Sequence, residues 1–478
     1  MSEPISLEDR IGRLDRLAAA ERRNDLFAFR VDGWSAWRVV RHFVQRTTAQ
    51  YGLARPKQNE GVRVVWALVA TIRLLVLLAF PPRVGLLVKT QRSGLRMAVG
   101  DRYRDIYFDG LLTRDDHHFK LEVIDSAGFE RQARDALFRP HLNAVVFTFW
   151  GRVLGKLFPA DAAEFATWTS NILKEDVGVE IGASTLLMYI STAYWQSKLF
   201  SLLLRRLRPT AVLVCDTGEY GLVIACRKTN VPIVELQHGV FDSNHPDAIP
   251  AWVDGTAGEL VLPDVLAARN GFWIRQLAGT HQAAIAVPVG NELIDIARER
   301  RAVRQAELRR EPPVRRIVLT TQGMDSERLA AWIEVMATSV PEGQDWRLVI
   351  KLHPTYDTHT TAFKDLAGHP KVTVVAGGGQ PNVIDLLCEA DLHLSIASAC
   401  LFEAAALGVP SLIIPLSGHE DILPALDGVL LRIATSPADA WSALPAQTEV
   451  AAGIHIAPGF LGNMRDLLSG LQPAKVRP

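Results

Sequence analysis

The stretch from Ala390 to Pro415, ADLHLSIASACLFEAAALGVPSLIIP, constrains the fold more than any other part of this chain. Leu392, Leu394 and Ile396 alternate as a strand requires, and Ser411 to Ile414 begins a second apolar strand. Between them lie a loop of small residues, Ser395 to Ala399, and a short helical run that Gly408 and Pro410 bring to an end. The order strand, tight loop, helix, strand is a βαβ unit of a parallel sheet. Ser398 can cap the helix. The helix start then points out of the C-terminal edge of the sheet, where unpaired N–H groups and the helix dipole favour phosphate. Glu403 stands one turn further in, where a carboxylate could accept hydrogen bonds from ribose hydroxyls. An ordinary βαβ unit with a capping serine gives the same pattern.

The same rhythm runs along the chain in two halves. Val84 to Val88, Phe119 to Asp125, Thr210 to Val214, Val231 to Leu236 and Ala284 to Val289 read as buried strands of a first half. Arg316 to Thr320, Arg347 to Leu352 and Val372 to Val375 open a second. Helical runs separate them: Glu164 to Lys174, Thr185 to Arg206, Leu293 to Arg310, Glu327 to Val340 and Asn382 to Glu389. Glu311-Pro312-Pro313 breaks the chain between the halves. The 478 residues suit two domains plus extras. The expected class is α/β, with two Rossmann-like domains facing a cleft and an N-terminal helical extension. The expected boundaries are a helical, membrane-associating region at 1–83 and an acceptor domain at 84–290. A linker helix at 291–313, a nucleotide-donor domain at 314–450 and a C-terminal helix at 451–478 complete the chain. Short helices are expected after residue 420.

Lysine plus arginine balance aspartate plus glutamate at 52 each, so the basic footprint of a nucleic-acid binder is absent. The four cysteines, Cys215, Cys226, Cys388 and Cys400, show no CxxC spacing, which argues against a zinc site and fits a reducing cytosol. MSEPISLEDRIGRLDRL lacks the apolar core of a signal peptide. Leu7, Ile11, Leu14 and Leu17 form a helical stripe. Asp32-Gly33 marks a turn, and Trp34, Trp37, Val40 and Val44 resume helical spacing as a packing face.

VRVVWALVATIRLLVLLAF, from Val62 to Phe80, is the most apolar run. Its length could cross a bilayer, but Arg73 near its middle costs roughly 2.5–3.5 kcal/mol on an insertion scale. A helix lying in the membrane interface is the preferred reading, with a buried helix or a spanning one as alternatives. From Gly61 to Arg104 there are eight lysines or arginines and a single acid, Asp101, so the region is set to meet anionic lipid.

Ligands of open α/β sheets bind at strand ends. In the first half those ends carry Asp216, Glu219, Gln237 and His238; in the second, Thr321, Gln322, Lys351, His353, Ser395, Ser398 and Glu403. His238 precedes Gly239, whose freedom to take positive φ permits close substrate approach. His238 is the candidate general base on an acceptor hydroxyl, with Asp216 and Glu219 as alternative bases. Its other reading is a histidine that bonds loop carbonyls. His353 sits before Pro354, which stops the strand and leaves the imidazole at the sheet edge. There it, or Lys351, could neutralise a donor phosphate. Arg92 and Arg96, with Arg102 and Arg104, follow the first strand and could hold an anionic acceptor or a lipid phosphate. His393, inside a strand, reads as structural.

The motifs E-L-Q-H-G at 235–239, K-L-H-P at 351–354 and S-x-x-S-x-x-x-x-E-A-x-x-x-G-x-P from Ser395 to Pro410 resemble those of bacterial GT-B glycosyltransferases of surface polysaccharide synthesis. That group includes capsule and lipopolysaccharide Kdo transferases, H-P-motif sialyltransferases and CDP-glycerol glycerophosphotransferases. The resemblance is best over residues 205–415. It implies a GT-B fold, with His353, Ser395 and Ser398 on the donor phosphate, Glu403 on the ribose and His238 at the reaction centre; from their strand-end places Gln322 and Lys351 are expected beside the phosphate. Gln237, beside His238, is expected on the acceptor. Two features depart from the pattern. Gln237 stands where the glycerophosphotransferases have tryptophan, and Asp216-Thr217-Gly218-Glu219 only approximates the acidic pair of the sialyltransferases. The resemblance implies no metal and no cofactor, the nucleotide-sugar being substrate. The expected partners are a nucleotide-sugar donor, weakly a CMP-linked acidic sugar, a glycan or lipid-linked acceptor, and the inner membrane surface from the cytoplasmic side. Two other readings stand beside it: a nucleotide-sugar 2-epimerase, which shares the serine-to-proline pattern, and a non-catalytic nucleotide-binding scaffold of a polysaccharide assembly complex.

Overall fold

The computed structural model describes residues 7–49, 60–90, 96–112, 117–124, 127–215, 218–323, 325–353, 357, 361–377, 380–426, 428–442 and 455–471. Two parallel sheets organise them. The first holds β1 (Leu86–Lys89), β2 (His118–Glu122), β3 (Leu142–Asn143), β4 (Ala211–Val214), β5 (Ile233–Leu236), β6 (Val265–Ala268) and β7 (Ala286–Pro288). The second holds β8 (Arg315–Thr320), β9 (Trp346–Lys351), β10 (Val372–Val375), β11 (Leu392–Ser395), β12 (Ser411–Ile413) and β13 (Leu431–Ile433). Their spatial orders are 7-6-5-4-1-2-3 and 10-9-8-11-12-13.

Every neighbouring pair in both sheets is parallel. In each sheet the chain starts in the middle, builds outward, then returns to the other side of its first strand. The reversal falls between β1 and β4 in one sheet and between β8 and β11 in the other. These are the switch points at which doubly wound sheets open a crevice at their C-terminal edges. The chain is thus an α/β protein of two Rossmann-like domains, the GT-B arrangement.

The strands are short and apolar because both faces are covered. Ala211 to Val214 and Leu392 to Leu394 are entirely buried. The first core joins this sheet to α1 (Leu7–Arg23), α2 (Ala36–Thr48), α4 (Val145–Leu157) and α5 (Ala183–Leu207), and Trp34 and Trp37 are buried in it as packing residues. A two-residue turn at Asp32 and Gly33, both left-handed at φ 51° and 87°, leads into α2.

The apolar run forms α3 (Glu60–Ala79), which docks by one face. Ala67, Ala70 and Leu74 are buried, Trp150 Nε1 donates to Thr71 Oγ1 at 2.8 Å, and Arg206 Nε donates to the Leu78 carbonyl at 2.7 Å. Among the described residues no helix is long and apolar enough to cross a membrane. One face of the helix is thus docked on the protein, and the opposite face is open.

Several elements differ from expectation, β3 and β6 among them, which fall outside the strands read from the sequence. The basic segment after β1 contains an antiparallel hairpin, Arg96–Val99 with Arg102–Asp105, rather than loop alone. The region after residue 420 contributes a sixth strand to the second sheet, β13. The C-terminal helix α9 (Phe460–Gly470) returns to the first domain, where Phe460 and Met464 join Val88, Leu213, Leu236 and Val289 in one core. That return passes close over Gly290, at φ 93°, where an added Cβ would lie 2.3 Å from the Ala457 carbonyl oxygen.

Candidate functional site

The crevice of the second sheet is tied down from beneath by a buried polar seam. Ser395 Oγ donates to the Thr320 carbonyl at 2.8 Å, and Thr320 Oγ1 lies 2.9 Å from His393 Nε2. His393 Nδ1 lies 3.1 Å from Ser411 Oγ, so one ring links β8, β11 and β12. Burial pushes the His393 imidazole down to about 3, which keeps it neutral. His393 is thus structural, as expected, and the Ser395 hydroxyl is bonded within the sheet.

Above the seam, Gln322 Oε1 accepts from the Ala397 N–H at 3.0 Å and fixes the loop after β11 against the loop after β8. Ser398 Oγ accepts from the Cys400 N–H at 3.2 Å, at the first residue of α8 (Cys400–Ala406), although the N-cap position itself is Ala399, with no side-chain cap, and not the expected Ser398. On the other side of β8, Lys351 Nζ donates to the Ala376 carbonyl at 2.9 Å, and burial lowers its pKa. The His353 N–H donates to Thr321 Oγ1 at 3.1 Å. Burial lowers the His353 imidazole, and the carboxylate of Asp357 partly opposes this.

The first sheet presents the loop after β5. Gln237 is spent on the backbone at both ends: Nε2 donates to the Gly239 carbonyl at 2.8 Å, and Oε1 accepts from the Arg269 N–H at 2.9 Å. It holds the His238 turn against the end of β6. Gly239 does not use positive φ, and a Cβ there would meet nothing within 4 Å. The closeness of approach expected of this glycine therefore comes from its small size alone.

Arg269, the residue after β6, brings the two domains together. Its Nη2 donates to the His238 carbonyl at 2.9 Å and lies 4.0 Å from Glu403 Oε1. Burial pushes the Glu403 carboxyl above the usual range, while Arg269 and a hydrogen bond with Cys400 pull it back. Around this contact the domains share a core in which Trp273 meets Phe402 edge to face, ring centroids 4.7 Å apart. Trp273 Nε1 donates to the His455 carbonyl at 2.8 Å, and the Ala457 N–H donates to the Arg269 carbonyl at 2.8 Å. The structure therefore brings His238, Ser398 and Glu403 to one junction.

The switch point of the first sheet is charged and closed. Lys89 at the end of β1 pairs with Glu219, and Thr90 bonds Asp105. Asp105 also accepts from the N–H groups of Tyr107 at 2.9 Å and Phe108 at 2.8 Å. Lys120, fully buried, pairs with Asp109 behind it. Asp216 and Arg92 lie outside the described residues, as does the side chain of Arg96, whose backbone opens the hairpin. Arg104 pairs with Glu292 at the start of the linker helix α7 (Glu292–Leu308). Among the described residues no group of three or more His, Cys, Asp or Glu is placed to hold a metal ion.

Sequence reasoning missed two features. One is Arg269, although a charge at the end of the apolar run VLAA was a signal. The other is the support behind the His238 loop. Asp247, fully buried, accepts from Arg38 Nη1 at 2.5 Å and from Tyr220 Oη at 2.5 Å, and lies 2.5 Å from His42 Nδ1. Burial raises its pKa, but Arg38 and His42 outweigh this and hold it well below the carboxylate range. Those partners come from the N-terminal helix α2 and from α6 (Tyr220–Thr229), so residues before the first sheet brace the loop after β5.

No family model and no curated protein matches this chain. Among solved structures, a UDP-GlcNAc 2-epimerase from Neisseria meningitidis bound to UDP-GlcNAc is similar with a TM-score of 0.48 at 14% identity, over 81% of this chain and 98% of that one. The UDP-GlcNAc 2-epimerase of Methanocaldococcus jannaschii gives 0.48 at 15% identity, over 81% and 100%. MurG of Acinetobacter baumannii gives 0.45 at 11% identity, over 80% and 99%. The fold assignment and the site rest on the strand orders and contacts described above.

Proposed function

We propose that the protein is a glycosyltransferase that moves a sugar from a nucleotide-sugar donor to a lipid-linked or cell-surface polysaccharide acceptor. The preferred donor is a CMP-linked acidic sugar. The observation that carries this reading is the junction at which the strand ends of two like-ordered sheets meet, with His238 and Arg269 on one side and Ser398 and Glu403 on the other. In this reading the second domain holds the nucleotide through the loops fixed by Gln322 and Ser398, with Lys351 and His353 on the phosphate and Glu403 on the ribose. His238 takes the proton of the acceptor hydroxyl as its oxygen bonds the anomeric carbon. The bond from that carbon to the phosphate oxygen breaks, and the nucleotide leaves with the electron pair, stabilised by fixed donors.

The open face of α3 supports an acceptor in or on a membrane, met from the cytoplasmic side. Val65, Leu68, Val69, Ile72, Leu75 and Val76 are exposed along it, and Phe80 at its end is 80% exposed. Exposed Arg73, Arg83, Arg152, Lys156, Arg205 and Arg206 accompany them, suited to anionic headgroups. An enzyme acting on free nucleotide-sugar alone has no use for such a face.

The test is turnover of CMP-, UDP- and GDP-sugars with and without membrane acceptor. Nucleotide release that requires acceptor is expected, lowered about 100-fold or more in His238→Ala with nucleotide affinity unchanged. Conversion of a UDP-sugar to its C2 epimer without acceptor would replace this reading by the epimerase, and binding with no turnover would replace it by the scaffold.

A further inference from the structure

Arg269 is buried to 3% exposure, yet two of its three guanidinium nitrogens, Nε and Nη1, have no hydrogen-bond partner. Among the described residues Nη2 alone is engaged, on the His238 carbonyl at 2.9 Å, and the nearest carboxylate oxygen, on Glu403, stands 4.0 Å away, beyond hydrogen-bond reach. A buried cation with unmade bonds is costly, so a fold keeps one only against a compensating partner. Its position is not an accident of a loose loop. The Arg269 backbone is fixed at both ends, its N–H by Gln237 and its carbonyl by Ala457. It is a rigid cation held out from the first domain toward the helix that carries Glu403.

We propose that Arg269 is a further anion-binding residue of the cleft, and that Nε and Nη1 take phosphoryl oxygens of the donor nucleotide from the side opposite Lys351 and His353. This rests on the nucleotide-sugar reading above and deepens it. The nucleoside is held by the second domain, and its phosphate is shared between Lys351 and His353 of that domain and a cation of the first. Binding therefore joins the domains across the His238 turn, and the same guanidinium that grips the phosphate fixes the carbonyl of the candidate base. Planar guanidinium suits this task, because its donors match phosphoryl geometry where an ammonium offers a point charge.

The test is calorimetric titration with uridine, UMP and UDP, and with the cytidine and guanosine series alongside, on wild type, Arg269→Gln and Arg269→Lys. In the wild type the phosphorylated member of one series is expected to bind more tightly than its nucleoside. Arg269→Gln should lose about ten- to hundredfold of that gain, the weight of a hydrogen bond to a charged group. Its affinity for the nucleoside should be unchanged, and Arg269→Lys should fall between. Thermal unfolding of the unliganded variants gives an independent readout. Removing an unsatisfied buried cation should leave the midpoint of Arg269→Gln equal to or above that of wild type. The proposal is overturned if wild type gains nothing from the phosphates, a result that needs no variant. It is also overturned if Arg269→Gln keeps the full gain, or if it unfolds early and binds normally. Failure of every nucleoside and nucleotide to bind wild type would instead remove the nucleotide-sugar reading itself.

Discussion

At the scale of single residues, the second domain keeps its crevice in register with a neutral histidine. His393 bonds hydroxyls on both sides, so the ring has no use for a second proton. Its imidazole titrates near 3 in the fold against 6.5 ordinarily, burial being the cause. His245, buried behind the His238 loop, is likewise pushed down to about 3 by burial, with Asp247 opposing. Between those values the unfolded chain binds more protons than the folded one, so this stability is complete above about pH 6.5 and drains as pH falls toward 3. The urea midpoint should therefore decline steadily from pH 7 to pH 4.5. His393→Asn should cost stability at pH 7.5 but flatten the decline, and an unchanged slope would mean the ring is not held neutral. His393 is legible as structural from its place within an apolar strand. The hydroxyl partners Thr320 and Ser411 belong to other strands, and only the fold supplies them.

At the scale of elements, legibility followed the contrast between an apolar run and its flanks. Runs of apolar residues with a polar break, such as those ending in Gln237-His238 and in His353, stand out along the chain, and their strands lie where expected. β6 and β13 do not: one is four residues beside a loop-rich segment, the other three residues of which Arg432 and Ile433 are exposed. β6 matches β4 and β5 in length, but its run ends in two alanines and so lacks their contrast with the flanking loop. Missing β6 meant missing Arg269. The long α3 was legible as a helix, but which face it buries depends on the partners α4 and α5. Because that face is settled, the open one can be altered safely. Leu68→Glu with Ile72→Glu should change folding stability by less than about 1 kcal/mol, as surface substitutions do. The same pair should abolish co-sedimentation with vesicles containing anionic lipid, whereas retention on vesicles by the doubly charged variant would show that α3 is not the docking face.

At the scale of the molecule, the two halves repeat one strand order, and the cleft between them is what the individual motifs share. His238, Arg269 and the Ser398-to-Glu403 segment lie far apart in sequence and meet only because the short helix Gly271–Gln276 after β6 packs on α8 through Trp273 and Phe402. The N-terminal helices and the returning C-terminal helix belong to the same construction. One braces the His238 loop through Asp247, the other clamps the Arg269 backbone through Ala457. The central claim is that this junction receives a nucleotide. It is tested most directly by thermal unfolding of the whole chain with CMP, CDP, UDP and GDP at saturation. A ligand at 100 times its Kd stabilises by about 2.7 kcal/mol. The account predicts a raised midpoint with one of the four and a diminished shift in His353→Ala. Midpoints unmoved by all four would contradict it.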